Sequence, residues 1–123
     1  MRHKISIIGM GYVGLGNALM LAKNNKVSIV DIDQKKVANF NEGILPILDH
    51  HAQNYLDTEL LDISATIDLA HSIAGSSFVI LALPTDFDHQ SMKFDTRSLE
   101  SVAEQVLSLN DSAIIVIKST IDI

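Results

Sequence analysis

Apolar and polar positions along the chain alternate between two rhythms. Short β-branched runs, Ile5–Ile8 and Val27–Asp31, read as strands. Between them, Leu15, Ala18, Leu19 and Ala22 repeat at i, i+3, i+4, i+7, which predicts an amphipathic helix over 13–23 ended by Asn24-Asn25. Asp33 is placed to cap a helix over Gln34–Asn41, Gly43–Pro46 reads as a loop, and a polar helix is expected around Asp49–Leu56. Leu61–Ala65 fits a short strand and Asp68–Ile73 a turn or two of helix. Phe78–Leu83 is apolar at every position, the mark of a strand buried on both faces of a parallel sheet, and Pro84 ends it. The polar stretch Thr85–Lys93 reads as a turn-rich loop. Asp95 or Thr96 then caps a helix carrying Leu99, Val102, Ala103, Val106 and Leu107, and Ala113–Ile117 is the last strand. Strands alternating with helices give right-handed βαβ units. The expected fold is α/β: a doubly wound, mostly parallel sheet of Rossmann type in three α/β/α layers, with strand order 3-2-1-4-5.

Composition narrows the function. The 123 residues are 47% hydrophobic, 20% charged and 5% aromatic, suited to one domain with an aliphatic core. A net charge of −6 with no Lys/Arg cluster argues against nucleic acid, whose binding needs a basic stripe. Without cysteine there is no disulfide framework and no thiolate metal site. Met1-Arg2-His3-Lys4 leads straight into a strand and no apolar run is long enough to span a bilayer, so the expectation is a cytoplasmic protein with no membrane partner.

The chemistry begins at Gly9-Met10-Gly11-Tyr12-Val13-Gly14. Gly9 permits the tight turn out of the first strand, Gly11 lets backbone approach a pyrophosphate, and Gly14 lets helix and strand pack closely. The helix opening there offers unpaired N–H groups to phosphates. The pattern alone is weak; between a strand and a helix it is specific. Asp31, twenty residues past Gly11, ends the second strand, where an acid accepts bonds from both hydroxyls of an adenine ribose. A 2′-phosphate would meet its charge, and neither Ile32 nor Asp33 compensates, so NAD is expected over NADP. The plainer alternative is that Asp31 merely ends a strand or helps the following cap. Leu83-Pro84-Thr85 and Lys118-Ser119-Thr120 follow two further strands, where hydroxyls would face the nicotinamide half of the cofactor.

Other signals are weaker. His50 and His51 point about 100° apart on a helix and read as a solvated pair. His89 with Asp86 and Asp88 reads as an acidic loop, and no metal site is expected. Ser6, Ser28 and Ser119 have no histidine in a triad arrangement.

Gly11-Tyr12-Val13-Gly14-Leu15, Val30-Asp31-Ile32 with Lys36-Val37, Ile47-Leu48-Asp49, Ala65-Thr66-Ile67-Asp68, Leu83-Pro84-Thr85-Asp86, Phe94-Asp95-Thr96 and Ile117-Lys118-Ser119-Thr120 together resemble the UDP-glucose/GDP-mannose dehydrogenases. The resemblance covers essentially the whole chain, and the later motifs are most similar to bacterial UDP-glucose members. It implies two hydride transfers to two NAD through a thiohemiacetal and thioester on a cysteine, with a nucleotide sugar as substrate. It also implies NAD contacts from Val13, Asp31, Lys36, Thr85 and Thr120. Lys36 would lie near the adenine ribose, and Thr120 near the nicotinamide and the catalytic water. Tyr12 would lie by the pyrophosphate loop, or else pack the first helical turn. Asp122 stands where the family usually has proline. With no cysteine, the 123 residues are expected to bind cofactor without turning over substrate, as a truncated front end lacking strand six and the sugar-nucleotide domain. Strand 113–117 would then be an apolar edge that self-associates or is covered by the chain's own terminal residues. A regulatory NAD-sensing module is the competing reading, disfavoured by the threonines after the two strands.

Overall fold

The computed structural model describes residues 2–46, 49–82, 86–88, 93–95 and 97–118. The strands are β1 (Lys4–Ile8), β2 (Lys26–Val30), β3 (Ile63–Thr66), β4 (Phe78–Leu81), β5 (Asp86–Asp88), β6 (Lys93–Asp95) and β7 (Ile114–Ile117). The helices are α1 (Tyr12–Leu21), α2 (Gln34–Asn41), α3 (His50–Thr58), α4 (Leu69–Ile73) and α5 (Arg97–Leu109). Five strands form one sheet in the order β3-β2-β1-β4-β7, all parallel. This is the expected doubly wound order, with the switch point between β1 and β4.

Period-two alternation in the strands sends side chains to two cores. Ile5, Ile7, Val27, Ile29 and Ile80 pack with Leu15, Ala18 and Leu19 of α1 and Val37 and Phe40 of α2. Ile8, Val30, Val79 and Leu81 pack on the other face with Ile73 of α4 and Val106 of α5. Strand β4 contributes to both, which is why every one of its positions is apolar. Side-chain caps fix the helix starts: Asp33 accepts from Lys35 N and Lys36 N, Asp49 from Ala52 N, and Asp68 from His71 N.

One part of the sequence reading is corrected. Where the sequence reads as a turn-rich loop over Thr85–Lys93, β5 (Asp86–Asp88) pairs antiparallel with β6 (Lys93–Asp95), which begins at the last loop residue, with Phe87 opposite Phe94 in register. The signal was polar–aromatic–polar alternation in Asp86-Phe87-Asp88 and Lys93-Phe94-Asp95. Asp95 accordingly closes β6; Thr96, the other candidate cap, lies outside the described residues.

Two polar devices are absent from the sequence reading. Asn41, at the end of α2, donates from Nδ2 to Ala65 O at 2.9 Å and accepts Ala65 N–H at 2.8 Å. A side-chain amide thus takes the place of a neighbouring strand on the outer side of β3. The serines of β1 and β2 form a hydroxyl cluster with α4. Ser72 Oγ lies 3.0 Å from Ser6 Oγ and 2.8 Å from Ser28 Oγ, and Ser6 Oγ is 2.7 Å from Ser76 Oγ.

Candidate nucleotide-binding site at the carboxyl ends of β1 and β2

The site is built from the turn between β1 and α1. Gly9 has φ 111°, a left-handed conformation that only glycine adopts without strain. Its N–H donates to Val30 O at 2.8 Å, which ties the turn to the end of β2. Met10 then drops its side chain into the core and is 1% exposed. Gly11 ends the turn in extended backbone, and its carbonyl accepts the first α1 bond, from Leu15 N–H at 2.9 Å.

Gly14 explains the third glycine sterically. A Cβ there would lie 2.0 Å from Gly9 O and 3.3 Å from the Cβ of Ala82, so the first turn of α1 sits directly on the loop. A Cβ on Gly11 would meet nothing within 4 Å. No packing among the described residues demands glycine at that position. The bare backbone faces open space beside the α1 amino terminus, where a pyrophosphate finds N–H donors and the positive end of the helix dipole.

Asp31 follows β2 and is half-buried beside the same turn. Its Oδ2 accepts from Met10 N–H at 3.0 Å and its Oδ1 from Asp33 N–H at 2.9 Å. Its own N–H donates to Thr66 O at 3.2 Å, so the ends of β2 and β3 are also joined. An ionised carboxylate has about four acceptor positions, so two remain after these bonds.

Of the other expected contacts, Tyr12 is 67% exposed and does not pack into the core, and Val13 beside it is also exposed. Lys36 is exposed in the first turn of α2, its backbone held by the Asp33 cap at 3.2 Å. Gly9, Gly11, Tyr12, Val13, Gly14 and Asp31 therefore gather at one end of the sheet, with Lys36 on the next helix. Thr85 and Thr120 lie outside the described residues, as do His89 and Ser119. The backbone amide of Met10 and the carbonyl of Thr66 were missed by sequence reasoning. Both act through main-chain atoms, which leave no residue-type signal.

The donor set fits a dinucleotide: a glycine turn that leaves Gly11 bare, a helix amino terminus, and an acid with spare acceptor capacity. Comparison with known proteins agrees. Residues 3–123 match the UDP-glucose/GDP-mannose dehydrogenase family, NAD binding domain. The chain belongs to that family. NAD is the cofactor of this domain. The chain is 37% identical over 122 residues to a UDP-glucose 6-dehydrogenase of Campylobacter jejuni, covering 98% of this chain and 31% of that protein. It is 39% identical over 118 residues to a UDP-glucose 6-dehydrogenase of Streptococcus pneumoniae, covering 96% of this chain and 30% of that one. The 123 residues thus span under a third of these relatives. The fold superposes on GDP-mannose dehydrogenase from Pseudomonas aeruginosa with a TM-score of 0.83 at 24% identity, covering 96% of this chain and 28% of that one. No helix among the described residues is long and apolar enough to cross a membrane.

Proposed function

We propose that these residues are the cofactor-binding front end of a cytoplasmic enzyme that oxidises UDP-glucose to UDP-glucuronate with two NAD. The observation that carries the proposal is Asp31 beside the glycine turn at the sheet's switch point. The choice of sugar nucleotide rests on the two UDP-glucose 6-dehydrogenases at 37% and 39% identity. NAD, when bound, supplies the hydride acceptor. The chain's own residues bind and orient it. The α1 amino terminus and the Gly11 backbone receive the pyrophosphate, and Asp31 receives the ribose hydroxyls. Lys36 stands near that ribose, and Tyr12 and Val13 flank the phosphates. Thr85 and Thr120 complete the nicotinamide side, with Thr120 also serving the catalytic water; both roles rest on the family resemblance. Because the chain contains no cysteine, the thiol step belongs to sequence outside these residues.

Calorimetric titration tests the reading. A 2′-phosphate placed against Asp31 loses charged hydrogen bonds and adds repulsion, worth about 1.5–3 kcal/mol. NAD should then bind roughly ten- to a hundredfold more tightly than NADP; equal affinities would refute the assignment of Asp31. The 123 residues alone should form no NADH on addition of UDP-glucose. A rate above a no-protein control would overturn the division of labour.

A further inference from the structure

We infer that Asp31 is a positioning residue for the glycine turn as well as a ribose ligand, so that one carboxylate assembles both halves of the adenosine-diphosphate site. The inference rests on the nucleotide-binding reading above. Three contacts fix the turn before Gly11: Gly9 N–H on Val30 O at 2.8 Å, the buried Met10 side chain, and Met10 N–H on Asp31 Oδ2 at 3.0 Å. The third is a charge-assisted bond to a carboxylate just past the end of another strand, and it acts on the residue next to Gly11. The other oxygen of the same carboxylate holds Asp33 N–H at 2.9 Å, which sets the Asp33 cap and with it the first turn of α2, where Lys36 sits. The acid that reads the ribose thereby fixes the loop on one side and α2 on the other. Truncating it should disturb pyrophosphate binding even when the ligand has no ribose hydroxyls to offer. A change of cofactor preference made by shortening Asp31 alone should therefore weaken every dinucleotide.

Two variants of the 123-residue chain, Asp31→Ala and Asp31→Asn, test this by amide hydrogen exchange and by titration. In Asp31→Ala the Met10 and Asp33 amides should exchange at least about tenfold faster, a loss typical of one charged hydrogen bond. The β1 and β2 amides of Ile7 and Ile29 should keep their rates. Asp31→Asn retains one acceptor oxygen and should protect only one of the two amides, which keeps the test decisive if the alanine variant fails to fold. The second probe is an NAD analogue lacking both adenine-ribose hydroxyls, which Asp31→Ala should bind about tenfold more weakly than the unaltered chain does. Unchanged Met10 exchange together with unchanged analogue binding overturns the positioning role, and the ribose assignment survives if NAD binding alone falls. Faster Met10 exchange with no change in the NAD-to-NADP preference leaves the positioning role standing and removes the ribose assignment.

Discussion

At the scale of single residues, glycines in one short stretch carry different constraints. Gly14 is required by the protein itself, because a side chain there would run into the carbonyl of Gly9 at 2.0 Å. Gly16, two residues on, sits on the same helix with nothing within 4 Å of an added Cβ. Paired alanine substitutions separate the two cases. Gly14→Ala should destabilise by about 3 kcal/mol, the upper range for overpacking against backbone. Gly16→Ala should stabilise by about 0.5–1 kcal/mol through helix propensity. Urea unfolding of both variants reads the difference, and a neutral Gly14→Ala would contradict the close contact between turn and helix. The glycine pattern was legible in the sequence because its spacing is set by covalent geometry. The division between Gly14, needed for packing, and Gly11, left bare for a ligand, was legible too; that the atom Gly14 must clear is the Gly9 carbonyl was not.

At the scale of elements, the serine cluster shows where local preference and tertiary packing disagree. Ser6 and Ser28 sit opposite each other in register on β1 and β2, in strands that are otherwise Ile and Val after their first lysine. The sequence offered no catalytic use for them. In the fold, Ser6 is fully buried, donates to Ser72 O at 2.7 Å, and meets the hydroxyls of Ser72 and Ser76, seating α4 on the sheet. Strand propensity alone would favour Val at position 6. The structure predicts the reverse. Ser6→Val should cost about 1–3 kcal/mol, from the larger volume and the lost hydroxyl partners. A thermal melt at or above that of the unaltered chain would count against the cluster. The same limit on sequence reading explains β5 and β6: their pairing depends on two short segments meeting, and neither is long enough to declare itself.

At the scale of the whole molecule, the sheet ends on β7, which pairs with β4 on one side only among the described residues. Ile114 N–H donates to Ser77 O at 3.0 Å and Lys118 N–H to Leu81 O at 2.9 Å, both toward β4. By strand alternation the amides of Ile115 and Ile117 face the other way. Ile114 and Ile117 are 57% and 55% exposed, and no charge or proline interrupts the run. The opposite edge is covered differently: Asn41 occupies the β3 backbone at Ala65. A chain of these 123 residues should therefore self-associate through β7. Light scattering should show a concentration-dependent mass that Ile114→Lys or Ile117→Lys reduces. A monodisperse monomer with freely exchanging Ile115 and Ile117 amides would show that the edge is stable in water.

The alternation of strands and helices, the parallel strand order, the Asp33 cap and the nucleotide signature were all fixed by the order of residues. Each depends on spacing within one element or on the handedness of its connection to the next. The family resemblance followed for the same reason, since it rests on motifs kept at set intervals along one chain. What only the tertiary structure decided are the contacts between residues distant in sequence: Asp31 on Met10, Asn41 on β3, and Ser72 between β1 and β2. In each of these, a polar side chain was free in principle to face water or to cap its own neighbours. Packing the helices on the sheet removed the water and left a particular main-chain or hydroxyl group as partner. A buried polar group must find such a partner, but which one it finds is a property of the assembled layers.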